Sequence, residues 1–349
     1  MTSDGHVFVI AEAGSNWRSG TPARDMRMAK TLIDVAVDAG ADAVKFQTYR
    51  AETVYVAQAG MVKYLEESGV YSDIIEIFND LSMPYEMIAP LHEYCEKQGI
   101  EFMSSAFGIK DFEAVNPYVK RHKIASYEIS HLRLLEIAAR TGKPIILSVG
   151  ASVEEDIDWA IRTLKANNSG PITLMQCTLA YPAPPESLNL RVIPWLKQCF
   201  NLPVGFSDHS RDPLCGPLAA VALGATVIEK HYTIDNRLPG PDHFFALTPS
   251  ELKKMVQAIR DTEKMLGDGR KTVEPAEQEM YRFGRRGVQA IQDIARDGIF
   301  QEGVNIDILR PGHQSSGVHP RLLPEILGKR ATKDISAGSG IHLGDWTDA

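Results

Sequence analysis

Two periods of apolar residues alternate along the first 265 or so positions of the chain. Short β-branched runs are separated by longer stretches whose apolar residues recur every three or four positions. The short runs predict eight strands: HVFVIAE (6–12), ADAVKFQTY (41–49), EFMSSAF (101–107), HKIASYE (122–128), PIILSVG (144–150), ITLMQCT (172–178), LPVGFSDHS (202–210) and ATVIEKHYT (225–233). Helical patterns fill the intervals, as in 23–41, 152–168, 214–225 and 249–266. Ser152 with Glu155 three residues on reads as a capping box opening one of them. Eight strand–helix repeats with apolar strands predict an α/β fold, a closed (β/α)8 TIM barrel, rather than an open doubly wound sheet. No GxGxxG or GxxxxGK[ST] follows any of the strands, so a dinucleotide or P-loop fold has no support.

The connection from residue 50 to 100 is too long for one crossover. It predicts extra helices around DIIEIFNDL and PYEMIAPLHEYCEKQ, lying over the barrel mouth. The barrel domain is expected to span 1–266. Residues 267–284 are polar and without clear period, and read as a linker. From 285 to 349 the pattern changes to short strands punctuated by Gly and Pro, predicting a compact β-rich module small enough to lean on another surface.

Composition narrows the partners. The chain has 349 residues, with 37 Lys and Arg against 45 Asp and Glu, a formal net charge of −8. That balance argues against nucleic acid or an anionic membrane as partner, while leaving room for a small anion in a basic pocket. The four cysteines show no CxxC pairing, and the N-terminus has neither a basic region nor a long apolar run. A reducing, cytoplasmic setting is the expectation, with no membrane span.

In such a barrel the chemistry sits at the C-terminal strand ends. Those ends are polar here: Glu12 and Asn16; Lys45 and Gln47; Ser104 and Ser105; Lys123, Ser126 and Glu128; Ser148; Gln176, Thr178 and Tyr181; Ser207, Asp208 and His209; Glu229 and His231. Lys45 and Lys123 lie inside apolar runs, and a buried ammonium needs an anion. Fixed carboxylates would serve. Two lysines among serine hydroxyls equally describe a cradle for a phosphate or carboxylate. His209 and His231 end adjacent strands and can reach one divalent ion; with oxygen co-ligands they suit manganese, magnesium or iron better than structural zinc. Two core histidines bonded to carboxylates would read the same way. Asp242 and His243, in the stiff loop RLPGPDHFFAL, stand either over the mouth or in a plain connection. Arg310, before a Pro-Gly turn, is either a surface charge or a planar clamp for a ligand.

Together AEAGSN, VKFQTY, KIASYEI, PIILSVG, YPAPPESLNL, GFSDHS, EKHYTID, LPGPDH and the RPG of the tail resemble the sialic acid synthase family over nearly the whole chain. The wording is most similar to the branch holding spore-coat polysaccharide and pseudaminic acid synthases, and the tail resembles the antifreeze-like (SAF) domain. The resemblance implies a transferase that condenses phosphoenolpyruvate (PEP) with an amino-sugar aldehyde, N-acetylmannosamine-like or a 2,4-diacetamido-trideoxyhexose, to give a nine-carbon 2-keto acid. It implies a domain-swapped homodimer and a Mn2+ or Mg2+ ion on His209 and His231. It assigns Lys45, Ser105, Lys123, Ser126, Ser148 and Ser207 to PEP. Glu12, Gln47, Tyr181, Glu229 and Asp242 match sugar-side or catalytic positions, and Arg310 reaches the sugar from the neighbouring subunit. Two departures stand out. Leu179 takes a position that is often Asn, and Trp17 follows Asn16 where His is common, which points to an altered sugar pocket. Rival readings are a PEP-dependent synthase of shorter sugar acids and a non-catalytic sugar-phosphate-binding relative.

Overall fold

Eight parallel strands close into a ring in chain order, β1 Phe8–Gly14, β2 Ala43–Thr48, β3 Glu101–Ala106, β4 His122–Ile124, β5 Ile145–Ser148, β6 Ile172–Cys177, β7 Val204–Asp208 and β8 Val227–His231. The structure, a computed structural model, describes residues 5–61 and 72–347. All eight expected strands are present; the first is shifted two residues onward, to Gly14, the fourth stops at Ile124 before a 3-10 turn over Ser126–Glu128, and the others are trimmed. Side chains alternate across a strand, so residues two apart share a face. Ile10, Ala43, Met103, Ile146, Met175 and Val227 point inward and form an apolar plug distinct from the core outside the ring. Two residues further along, the same strands carry Glu12, Lys45, Ser105, Ser148, Cys177 and Glu229. The plug therefore fixes the register of a polar layer directly above it, toward the C-terminal ends.

The outward faces pack under amphipathic helices. Pro22–Ala39 turns Leu32, Ile33 and Ala36 inward and ends on Gly40 in the left-handed region. Pro249–Leu266 opens with Thr248 and Glu251 in a reciprocal cap. The expected cap at Ser152 is displaced by one residue. The helix runs Glu154–Ala166, with Asp156 accepting from the Val153 amide at 3.1 Å, while Ser152 donates to the Gly150 carbonyl. Asp156 reaches the free amide better than Glu155 because it lies three residues after the true cap. The long second connection also divides its labour. Ile88–Gln98 is the ordinary crossover, packing Leu91 and Cys95 into the barrel core. Ile74–Leu81 lies over the mouth, in a separate apolar cluster with Tyr49 and Phe107.

Residues 268–349 form a second compact unit with its own core, including Val288, Ile294, Phe300, Ile306, Ile326 and Ile341. It pairs β9 Gly287–Ala290 with β10 Ile306–Leu309, and β11 Arg330–Ala331 with β12 Trp346–Thr347, both antiparallel. A short helix, Gln278–Gly284, precedes them. Among the described residues no helix is long and apolar enough to cross a membrane.

On the outer face of β8, Lys230 donates to Asp208 Oδ2 at 2.6 Å, to the Ser210 carbonyl at 2.6 Å and to the Asp212 carbonyl at 3.0 Å. This fully buried ion pair ties down the loop that follows β7. Removing one partner of a buried pair strands the other charge, at a cost of roughly 3–5 kcal/mol. Lys230→Met should lose about that much in urea unfolding, and adding Asp208→Asn should recover part of it. A loss below about 1 kcal/mol would contradict the pairing.

Candidate active site

Above the plug, the ring is charged. Lys45 Nζ lies 2.8 Å from Glu12 Oε2 and donates to Ser105 Oγ at 3.1 Å. Lys123 donates to Ser148 Oγ at 2.7 Å, and its nearest carboxylate oxygen, Glu229 Oε1, is 3.6 Å away. Glu229 also stands 3.7 Å from Lys45 and accepts from Ser207 at 3.0 Å. Gln47 donates to Glu12 at 2.8 Å. Both lysines and both glutamates are at most 5% exposed. The fixed-carboxylate partners that the sequence allowed for are thus present. They are unevenly shared, because Lys45 is closely held by Glu12 while Lys123 keeps donors for a ligand. Burial pushes the Glu12 carboxyl up to about 7 against the pull of Lys45, and it holds Lys123 below its ordinary value.

The two imidazoles stand above this ring with centroids 5.5 Å apart. His209 Nδ1 is 2.8 Å from the Thr178 carbonyl, so it donates there and leaves Nε2 as the acceptor. Burial, with cationic neighbours, holds His231 well below its usual range and keeps it neutral. Its Nδ1 is buried without a hydrogen-bond partner, 3.7 Å from Asp242 Oδ2. Tyr181 stacks on His209 at 4.4 Å. Gly14, at φ +52°, ends β1 where a Cβ would come within 2.8 Å of Asp242; it lets the loop carboxylate approach the ring.

These groups line one cavity of about 510 Å³ at the C-terminal end of the barrel. Glu12, Lys45, Gln47, Ser105, Lys123, Ser126, Ser148, Tyr181, Ser207, His209, Glu229, His231 and Asp242 all face it. Ser126 accepts from the Gly150 amide at 2.9 Å and so shapes the loop after β5. Arg310 is exposed on the C-terminal unit. Other strand-end residues turn away: Ser104 bonds Thr48, Asn16 donates to the Tyr232 carbonyl, Gln176 to that of Leu188, and Thr178 to that of Ser187. Trp17 packs in the core between strands and helices, so that departure does not reshape the pocket directly; Leu179 does line it. His243 bonds Thr233 at 2.6 Å, leaving Asp242 alone of that pair at the mouth.

Sequence reasoning missed Cys177, whose Sγ is 3.8 Å from His209 Nδ1. Strict alternation from Met175 would have found it. It also left Glu128 without a role. That carboxyl lines the cavity from the turn after β4, and burial, with Asp111 nearby, pushes it up to about 7. The apolar wall, with Val54, Ile74, Ile77, Phe78 and Leu81, carried no sequence signal as a site.

Residues 32–271 match the model of the NeuB family. The chain belongs to that family. It is 42% identical to the spore coat polysaccharide biosynthesis protein SpsE of Bacillus subtilis, over 98% of this chain and 94% of that one. It is 38% identical to an N,N'-diacetyllegionaminic acid synthase of Campylobacter jejuni, over 94% and 96% of the two chains. The solved N-acetylneuraminic acid synthetase of Leptospira borgpetersenii superposes with a TM-score of 0.69 at 34% identity, covering 80% and 92%.

Glu128 sets a pH dependence. Its ordinary value of 4.5 rises to about 7 on folding, so below 4.5 both states are protonated and nothing is lost. As pH climbs through that window the unfolded chain ionises first, and stability falls by roughly 3 kcal/mol in all. Unfolding free energies at pH 4.5 and 8 should show this loss in the wild type and a flatter profile in Glu128→Gln. Equal slopes would mean the carboxyl is not desolvated.

Proposed function

We propose that the protein condenses PEP with an amino-sugar aldehyde, giving a nine-carbon 2-keto acid and phosphate, as a transferase of the N-acetylneuraminate synthase type. The observation that carries this reading is the buried ring of Lys45, Lys123 and serine hydroxyls beneath two imidazoles. The family membership and the names of the relatives support it.

Lys123 offers its remaining donors to the carboxylate and phosphate of PEP, with Ser105, Ser126, Ser148 and Ser207 around it. Lys45 adds charge from behind its pairing with Glu12. Because Glu12 titrates near neutrality, it can take up a proton as the ligand's negative charge enters, which relieves repulsion. Gln47, Tyr181 and Asp242 line the acceptor side. Carbon 3 of PEP attacks the aldehyde carbon, Glu128 gives a proton to the aldehyde oxygen, and cationic character develops at carbon 2. Water guided by Glu229 adds there and gives one proton to that carboxylate; the new hydroxyl gives its proton to the departing phosphate as the carbon–oxygen bond breaks and the carbon 2 carbonyl forms. Holding both reactants in attack geometry is the main contribution of such a rigid ring.

A divalent ion, Mn2+ or Mg2+, fits the residues present. Among the described residues no three His, Cys, Asp or Glu side chains converge on one point. Yet His231 Nδ1 and Glu229 Oε2 are both buried without a hydrogen-bond partner in the cavity that His209 also lines, atoms that a cation would satisfy. His209 and His231 would hold the ion, which supplies Lewis-acid polarisation of the acceptor carbonyl.

The C-terminal module reads as an SAF domain that caps the barrel of a second copy and brings Arg310 to its sugar. Exposed Met280, Tyr281 and Phe283 on its leading helix support such docking. A cytoplasmic site of action fits four unpaired cysteines.

Phosphate should be released from PEP only in the presence of a 2-acetamido sugar. Lys123→Met should raise the KM for PEP at least tenfold, and chelation should abolish turnover until manganese is returned. Turnover at full rate in metal-free enzyme removes the ion's role, and a shorter sugar acid as sole product favours the rival synthase. In mixtures, Arg310→Ala and Glu12→Ala chains should restore activity to each other; verified heterodimers without rescue would exclude shared sites.

A further inference from the structure

Three lysines are buried on barrel strands, Lys45, Lys123 and Lys230, and they are held differently. Lys230 has Asp208 at 2.6 Å, on the outer face of β8. Lys45 has Glu12 at 2.8 Å; against burial, Glu12 and Glu229 hold it above its ordinary value. Lys123 has no carboxylate oxygen closer than 3.6 Å among the described residues, and its close partner is a hydroxyl, Ser148 Oγ at 2.7 Å. A hydroxyl accepts from an ammonium and equally donates to a neutral amine, so this partner suits both forms. Burial already holds Lys123 below its ordinary value. Of the three, it is the one that joins a loose pairing to a place on the cavity. A desolvated amine facing a cavity is a nucleophile toward carbonyl carbon.

We propose that Lys123 forms an imine with carbon 2 of a 2-keto acid, giving the cavity a second activity that needs no PEP, the exchange of carbon 3 protons with solvent. The inference rests on the synthase reading above for placing a 2-keto acid there, because PEP and the keto acid made from it share carbon 2 and its carboxylate. The amine lone pair bonds to carbon 2. Both amine protons pass to the carbonyl oxygen, carried by Ser148, and water leaves. Glu229, 3.6 Å from the nitrogen, then takes a proton from carbon 3 while the nitrogen takes one from solvent through Ser148, which gives the enamine. A solvent-derived proton returns to carbon 3, the nitrogen gives its own back, and water restores the keto acid and the free lysine. Lys45 and Ser105 remain to hold the keto acid's carboxylate.

The test incubates the full chain with pyruvate and sodium cyanoborohydride, which reduces an imine to a stable secondary amine, and maps the adduct by peptide mass. The reduced pyruvyl group should sit on Lys123 at least about tenfold more than on Lys45, since each unit of pKa changes the neutral fraction tenfold. PEP should suppress the adduct, and synthase activity should fall in proportion as it forms. In deuterium oxide the enzyme should exchange the carbon 3 protons of pyruvate, followed by NMR, and Lys123→Arg should drop to the rate without enzyme. No adduct on Lys123, an adduct that PEP leaves unchanged, or equal exchange in Lys123→Arg overturns the inference while phosphate release from PEP still supports the synthase reading. Mapping uses the wild-type chain, so the result does not depend on a variant folding. An adduct on Lys123 in enzyme that releases no phosphate with PEP and any 2-acetamido sugar keeps the lysine chemistry and removes the synthase reading.

Discussion

Four buried charges govern this protein. Glu12, Lys45, Glu229 and Lys123 are set on four strands of one ring, within 2.8–3.7 Å of one another along the chain of contacts. In so dry a place an uncompensated ammonium or carboxylate would unfold the barrel or change its protonation state. Mutual pairing offsets the burial of these charges, and the serines satisfy part of what remains, leaving Glu229 Oε2 and donors of Lys123 open. The same pairing is incomplete at Lys123, where the nearest carboxylate stops short of a close contact. A ligand bearing carboxylate and phosphate can supply what is missing there. The fold tolerates the cluster because the apolar plug beneath it holds six of the eight strands in register.

Much of this was legible in the sequence. The eight strands showed in their short β-branched runs, and their trimmed ends changed no face. The charged ring showed because Lys45 and Lys123 interrupt runs that are otherwise apolar. What failed to show was direction at the rim, where strands give way to loops and the period of two stops. Asn16, Ser104, Gln176 and Thr178 look like site residues by position, yet they secure backbone and neighbouring strands. Trp17 looked like a change in the pocket and is a core residue.

Pairing strength was equally invisible. Nothing in the spacing distinguishes Lys45, bound closely to Glu12, from Lys123, which keeps its distance from Glu229. The cap at Val153 instead of Ser152 is a smaller instance: adjacent acidic residues compete, and geometry at the amide decides between Glu155 and Asp156. The helix around DIIEIFNDL was expected over the mouth, but that its apolar side chains line the cavity was not, because a wall and a core have the same composition until a cavity is seen beside them.

The hydrophobic cluster over the mouth has a consequence for how such proteins diversify. It is drawn largely from one excursion of the chain between the second strand and the third, and it is separate from the cores that hold the barrel together. Substitutions there can retune which molecules are admitted without disturbing the residues that do the chemistry or the packing that keeps the scaffold folded. Change at the mouth can therefore be confined to this one connection while the plug and the charged ring below it are left as they are.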